Sequence, residues 1–314
     1  MDKSFGKGVA FSLLAYLLWG VLPVYWKLLS AIPSIHILAY RILFSLPLVS
    51  AILFAMKNTS WLKFYRDRRK AGLLAFASLI ITFNWGLYIM AVNSGRTIET
   101  SLGYYINPLI SIAFGLVFFK EKLKALQAIA FALAIAGVAV LTVLTGRLPL
   151  ISLGLAVSFS LYGLLKKAID FSALQSLAVE TLIASPIALV LLFGPFGAGP
   201  EITGPQGLSY WRELPLHVPL LLLLCGAVTA VPLYLFARGA KLLPMSTLGF
   251  IQFMSPTMTF LTGFFLFKEP FPLQNFIAFG FIWTAAILYI ISLNKPSPRI
   301  NYSGPRETMP QEKA

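Results

Sequence analysis

The sequence predicts an all-α integral membrane protein with ten transmembrane helices arranged as two inverted five-helix repeats. Three observations predict this fold class. Apolar runs of about 20 residues recur along the chain, Lys and Arg concentrate in every second connection, and the second half repeats motifs of the first. Of the 314 residues, 58% are hydrophobic and only 11% are charged. Segments such as 72–92 and 126–144 are apolar on every face, which is typical of helices surrounded by lipid.

Ten segments are long enough to cross about 30 Å of hydrocarbon. They are approximately 8–27, 33–55, 72–92, 97–119, 125–144, 149–166, 173–194, 217–237, 243–267 and 273–293. The first segment is too long for a cleaved signal and lacks a small-residue cleavage site, so we expect it to span the membrane. We expect the polar tail 295–314 to be disordered.

The positions of the basic residues predict the orientation. With the N-terminus in the cytoplasm, 19 of the 25 Lys and Arg fall in cytoplasmic segments. The five in outer segments are Lys27, Arg96, Arg147, Arg212 and Lys268, and Arg41 lies within a span. Positive charge favours the cytoplasmic side, so both termini are expected there. The formal charge of +14 therefore indicates basic loops beside lipid headgroups and not a nucleic-acid partner.

Matching motifs occur in the same order in both halves. The pairs are Trp19-Gly20 with Tyr162-Gly163, Arg41 and Pro47 with Glu180 and Pro186, Ser101-Leu102-Gly103-Tyr104 with Thr247-Leu248-Gly249-Phe250, and Phe119-Lys120-Glu121 with Phe267-Lys268-Glu269. Five is an odd number of helices, so the second copy enters the membrane from the opposite side and the repeat is inverted. The predicted units are 1–146, 147–294 and the tail 295–314.

These motifs also resemble a known family over nearly the whole chain. The sequence is similar to RarD-type permeases of the drug/metabolite transporter superfamily, in its EamA branch. The residues that carry the resemblance are Trp19-Gly20, Trp26-Lys27, Asn84-Trp85, Ser101 to Leu109 and Ser246 to Gln252. The resemblance implies a central cavity between the two halves and export or exchange of small metabolites or drugs. It also implies a link to chloramphenicol sensitivity, but it names no substrate.

Two prolines indicate where a substrate would bind. Pro108 and Pro256 each follow a helix glycine, Gly103 or Gly249, at matching places in the repeat. A proline frees a backbone carbonyl that lipid cannot satisfy, so the pattern predicts two broken helices at a midplane site. The alternative is a pair of kinks that only improve packing.

Polar and aromatic residues in the spans form the predicted substrate site. They are Trp19, Asn84, Trp85, Tyr104, Tyr105, Asn107, Tyr162 and Gln252. An aromatic cage with few hydrogen-bonding groups suits an amphipathic or aromatic solute. The alternative is that the amides join neighbouring helices and the aromatic rings pack or form interfacial belts.

Three ionisable residues in the spans are candidates for coupling or for structural charge. Arg41 and Glu180 occupy equivalent repeat positions, and the alternatives are a buried ion pair between them or a role in coupling. Glu99 lies near the outer mouth as an interfacial acid or a proton-binding group. Lys27 and Lys166 end their helices, where they are expected to anchor them at the interface.

The pattern as a whole predicts a secondary transporter of the inner membrane that works by alternating access. No Walker A loop is present, so any driving force is an ion gradient or the concentration difference of the solute itself. Proton exchange through Glu99 or Glu180 and facilitated diffusion are the two alternatives. An integral membrane enzyme acting on a lipid-linked substrate is the alternative, but it would need clustered carboxylates or a metal set. A channel would need a repeated charge or carbonyl ring. We expect no cofactor and no metal. The expected partners are a small-molecule substrate and membrane lipids, and a homodimer is left open.

Overall fold

The computed structural model describes residues 3–119, 125–146, 148–167, 169, 171–193, 215–240, 242 and 251–293. The helices with described bounds are α1 Lys3–Leu28, α2 Ser34–Ala55, α3 Arg68–Asn93, α4 Thr97–Phe119, α5 Ala125–Thr145, α6 Leu150–Lys167, α7 Ala173–Phe193, α8 His217–Ala240, α9 Met254–Leu261 and α10 Leu273–Leu293. A 3₁₀ helix, Ser60–Arg66, joins α2 to α3, and a π-helical turn, Thr262–Leu266, continues α9. The tail 295–314, the segment 243–250 and most of the linker 195–216 lie outside the described residues.

The helices have the surface of a membrane protein. Seven of those described, α1, α2, α3, α5, α7, α8 and α10, are long and apolar enough to cross a membrane, and α6 is a shorter apolar helix. Their outer faces carry large apolar side chains, with exposed fractions of 79% for Val143 and 60% for Leu223. Hydroxyl side chains such as Ser12, Ser45 and Ser78 lie inside instead. This distribution suits a chain whose outer solvent is hydrocarbon, because apolar exposure there has no cost.

Helix contacts recur in equivalent form in the two halves of the chain. Three pairs of contacts correspond by position in the repeat. The α1–α8 contact corresponds to α6–α3, the α4–α6 contact to α9–α1, and the α2–α8 contact to α7–α3. Three further contacts, α2 with α7, α4 with α9 and α5 with α10, join helices that hold the same place in each half. Residues from both halves therefore meet in the interior.

Glycines bring two equivalent helix pairs into close contact. A Cβ atom on Gly103 of α4 would lie 2.7 Å from the carbonyl oxygen of Ser152 on α6. A Cβ atom on Gly20 of α1 would lie 2.7 Å from the Cβ atom of Met258 on α9. Small residues are common at helix interfaces in membranes because they let the backbones approach.

The structure does not show the predicted break in the first of the two paired helices. α4 is helical without interruption from Thr97 to Phe119, so the prediction of a break at Gly103 and Pro108 is wrong. A proline in mid-helix removes a single backbone hydrogen bond, which a helix surrounded by other helices tolerates. In the second half a helix ends before Phe253 and α9 begins at Met254, which places Pro256 in the first turn, where its missing N–H has no intrahelical partner. Gly249 lies outside the described residues.

Candidate functional site

Arg41 lies near the middle of α2 with 5% of its surface exposed. Its guanidinium carbon is 4.0 Å from the ring centroid of Trp85 on α3 and 5.2 Å from that of Trp26 on α1. Its Nε donates a hydrogen bond of 3.0 Å to Oγ1 of Thr229 on α8. A desolvated cation over a Trp face gains about 2 kcal/mol. We call Arg41, Trp26, Trp85 and Thr229 the Arg41 site. These residues lie on four helices, three from the first half of the chain and one from the second.

The hydrogen-bonding capacity of Arg41 is largely unused. A guanidinium has five N–H donors, and within the described part of the chain only Nε–H has an acceptor. The titratable groups that interact electrostatically with Arg41 are Tyr25, Tyr88, Tyr104 and Cys225. Hydroxyl and thiol groups of this kind are uncharged at neutral pH. The site therefore carries a positive charge that no described acid balances.

Aromatic residues form the wall beside Arg41. The ring centroids of Tyr88 and Tyr104 are 5.7 Å apart in an edge-to-face arrangement. The Tyr104 hydroxyl faces Oδ1 of Asn84 at 3.4 Å. On the α8 side, the Tyr25 hydroxyl donates to the carbonyl oxygen of Leu221 and lies 3.4 Å from Sγ of Cys225. The arrangement combines one cation with several apolar faces.

The two deep asparagines join helices to α6. Nδ2 of Asn84 donates to the carbonyl oxygen of Leu155 at 3.1 Å and to Oγ of Ser158 at 2.9 Å. The carbonyl oxygen of Asn107 and its Oδ1 both accept from Oγ of Ser160. These bonds fix α3 and α4 against α6, which is one of the two interpretations of these amides. Asn84 also contacts Tyr104, so it orients the aromatic wall.

Glu180 on α7 is 2% exposed and belongs to a different polar cluster. Its Oε1 accepts from Nζ of Lys166 at 2.8 Å, and its Oε2 accepts from the Tyr162 hydroxyl at 2.9 Å. The interpretation of Arg41 and Glu180 as a buried ion pair is therefore wrong, and Lys166, the penultimate residue of α6, binds Glu180 instead. The reason is that Tyr162 and Lys166 lie one turn apart on α6, so both polar ends reach the same carboxylate.

The eight residues of the predicted substrate site do not form one cage. Trp19 packs edge-on against Tyr16, with ring centroids 5.3 Å apart, and it also borders the hydrophobic core that contains Trp26. The Tyr105 hydroxyl shares a hydrogen bond of 2.6 Å with Oγ1 of Thr257 on α9. Gln252 is half-buried. The members that lie at or beside the Arg41 site are Asn84, Trp85 and Tyr104.

Glu99 lies in the first turn of α4 and pairs with Arg96. Nε and one terminal nitrogen of Arg96 each contact one carboxylate oxygen at 2.8 Å. Both side chains line a partly open cavity of about 720 Å³, together with Leu102, Leu141 and Phe279. The Glu99 side chain is 28% exposed. The Glu99 carboxylate can therefore be reached from this cavity.

Glu269 also lines this cavity and caps α4. Its two carboxylate oxygens accept the backbone N–H groups of Thr97 and Ile98, each at 2.8 Å. A carboxylate stabilises a helix N-terminus because the first N–H groups have no intrahelical acceptor. The side chain is 8% exposed. The cap ties the connection after α9 to the start of α4.

Sequence reasoning assigned no site role to four residues that the structure brings into these clusters. They are Trp26, Lys166, Thr229 and Glu269. A signal existed for Lys166, because its spacing of four from Tyr162 places both on one helix face. For Thr229, the only signal is a hydroxyl in a long apolar run. Its partner depends on how α8 packs on α2, which the sequence does not specify.

Comparisons with known proteins agree with this architecture. The model of the EamA-like transporter family matches residues 6–143 and again residues 148–291. The chain is 40% identical to the uncharacterized transporter YojE of Bacillus subtilis, over 91% of this chain and 94% of that protein. It is 39% identical to the protein RarD of Streptomyces exfoliatus, over 90% and 87%. Identity to RarD of Escherichia coli is 36%, over 92% and 95%.

A solved crystal structure shares the fold. It aligns with a TM-score of 0.56 at 17% sequence identity and covers 95% of this chain and 99% of the other. That likeness extends to the fold alone. The family match and the relatives identify a membrane permease and not an enzyme. The chain belongs to the EamA-like transporter family, within which it is a permease of the RarD type.

Proposed function

We propose that this permease moves a small organic solute across a bacterial inner membrane by alternating access of two inverted five-helix halves, 1–146 and 147–294. Two observations support the division. One family model matches both halves separately, and the helix contacts of each half recur in the other. Inverted halves of this kind exchange conformations to open a central site to either side in turn.

The Arg41 site is the proposed substrate site, because its residues come from both halves of the chain. Trp26, Arg41 and Trp85 belong to the first half, whereas Thr229 belongs to the second. A shift of α8 relative to α2 would change the site directly, as alternating access requires. Asn84 and Tyr104 complete the proposed wall. Trp19, Tyr105, Asn107, Tyr162 and Gln252 are assigned to packing around it.

The basic connections set the proposed orientation. The 3₁₀ segment and the start of α3 carry Lys63, Arg66 and Lys70, which supports a cytoplasmic location for this end of the protein and for both termini. These residues also face the anionic headgroups of the inner leaflet. The cavity beside Glu99 then opens to the outside.

Counterflow in proteoliposomes tests the transport mechanism. Vesicles are loaded with unlabelled solute, and entry of the labelled solute is followed for chloramphenicol and for a panel of small aromatic acids and amides. We expect saturable counterflow for at least one solute. Leakage without saturation, or no entry for any member of the panel, would contradict alternating access.

Two tryptophan variants test the position of the site. Trp85→Ala removes a face that contacts Arg41, so we expect at least a tenfold loss of initial counterflow rate. Trp283→Ala is the matched control, because Trp283 on α10 packs in a different hydrophobic cluster, against Phe260 and Phe279, and we expect a change of less than about twofold. Equal losses in the two variants would place the site elsewhere.

A further inference from the structure

The free edge of the Arg41 guanidinium points to the kind of solute that this site takes. Its two tryptophan contacts use the guanidinium face, and its one described hydrogen bond uses Nε. The terminal nitrogens carry the remaining donors, and they form the fork that matches two oxygens of one anionic group. A second donor in the site also lacks a described acceptor, because Nε1 of Trp26 is buried and unbonded.

No described acid supplies the missing negative charge. The described part of the chain contains four acids, and each bonds elsewhere. Asp67 caps α3 through the N–H of Lys70, Glu99 pairs with Arg96, Glu180 pairs with Lys166, and Glu269 caps α4. A buried cation in a membrane protein normally has a partner, because an isolated charge there is costly. The negative charge that balances Arg41 must therefore come from a group other than these four acids.

We propose that Arg41 binds the carboxylate of a transported organic monoanion, whose apolar or aromatic body lies against Trp85, Tyr88 and Tyr104. This inference rests on the proposed function and specifies its substrate class. One positive charge balances one negative charge, which favours a monocarboxylate over a phosphate dianion. The aromatic faces favour an apolar body over a polyhydroxylated one. The bound carboxylate balances the positive charge of Arg41, so the site is more stable with the solute bound than without it.

Matched pairs of acids and amides test this inference. Thermal unfolding of the purified full-length protein in detergent is measured with benzoate and benzamide, phenylacetate and phenylacetamide, and indole-3-acetate and indole-3-acetamide. Each pair has the same shape and differs in charge. At least one acid is expected to raise the Tm in a saturable way while its amide does not. If no acid is preferred over its amide, the inference is overturned.

Arginine variants assign the preference to Arg41. Loss of a charge-assisted hydrogen bond is expected to weaken acid binding about 10- to 100-fold in Arg41→Gln. Arg41→Lys keeps the charge without the fork, so we expect it to restore part of the affinity. Arg238→Gln is the control, because Arg238 is exposed at the end of α8, and we expect unchanged binding. An acid preference that survives in Arg41→Gln would overturn the inference.

The outcomes also separate this inference from the transport mechanism. Counterflow of amides without any preference for their acids would leave transport intact and exclude the anion site. Acid binding that depends on Arg41 but gives no counterflow would retain the site and exclude the proposed transport. Gel filtration establishes that each variant is folded and monodisperse, and the Arg41→Lys variant keeps the test decisive if Arg41→Gln does not fold.

Discussion

Substitution of Lys166 is expected to destabilise the protein more than substitution of its partner Glu180. The Glu180 side chain is 1% exposed and that of Lys166 is 22% exposed. In Lys166→Met, the carboxylate stays buried and keeps only the hydrogen bond from Tyr162. Stranding a buried charge in this way costs about 3 kcal/mol. In Glu180→Gln, the partly exposed ammonium can turn toward the interface, and the amide keeps an acceptor for Tyr162, so we expect a cost of about 1 kcal/mol.

The double variant isolates the interaction between the two charges. Lys166→Met combined with Glu180→Gln leaves no stranded charge, so we expect a cost of about 1 to 2 kcal/mol instead of the sum of about 4 kcal/mol. The coupling free energy is therefore about 2 to 3 kcal/mol. The free energy of unfolding of each variant is measured by SDS titration in mixed micelles, with far-UV circular dichroism as the signal.

A second ion pair provides the control. Arg96 and Glu99 form a pair of the same 2.8 Å length, but their side chains are 41% and 28% exposed. An exposed pair contributes about 0 to 1 kcal/mol, so Arg96→Met is expected to cost less than 1 kcal/mol. If Lys166→Met costs no more than Glu180→Gln, or if the double variant costs the full sum, the assignment of a buried pair is refuted.

Three further predictions concern packing, capping and topology. Gly103→Ala forces α4 away from α6 and is expected to cost about 1 to 3 kcal/mol in SDS unfolding, whereas Gly280→Ala, with no atom within 4 Å of its Cβ, is expected to change stability by less than about 0.5 kcal/mol. Glu269→Gln weakens the cap of α4 by about 1 kcal/mol, and faster hydrogen exchange at the start of α4 would show it. Tyr65→Cys should react with a membrane-impermeant maleimide only in inverted vesicles and Ser94→Cys only in intact cells, and the opposite pattern would reverse the proposed orientation.

The sequence predicts the helices well because the bilayer fixes their length. The span predicted at 33–55 corresponds to α2 at Ser34–Ala55, and the span predicted at 125–144 corresponds to α5 at Ala125–Thr145. An apolar run of about 20 residues is sufficient to identify one transmembrane helix. The ninth span is the exception, because its break at Phe253 depends on local backbone geometry that hydropathy does not report.

For the candidate site, the sequence indicates which residues need a reason but not which of them are in contact. Arg41, Asn84, Trp85 and Tyr104 stand out in the sequence because polar groups in a span need a reason. Which of them meet depends on the rotation of each helix about its axis, and a helix that is apolar on every face gives no signal of that rotation. For this reason the sequence does not separate Tyr105 from Tyr104, although the Tyr105 hydroxyl bonds to Thr257 on α9.

Arg41 and Glu180 hold equivalent places in the two halves, on helices that pack against each other. Each charge in a span costs roughly 2.5 to 3.5 kcal/mol on insertion scales, so each needs a compensating interaction. Glu180 finds it within the protein, in Lys166. Arg41 finds only aromatic faces and one hydroxyl among the described residues. Glu180 thus matches the structural alternative for intramembrane charge, and Arg41 is proposed to match the functional one. The two roles differ in the effect expected of a substitution. Substitution of Lys166 should change the stability of the protein, and substitution of Arg41 should change the binding of the solute.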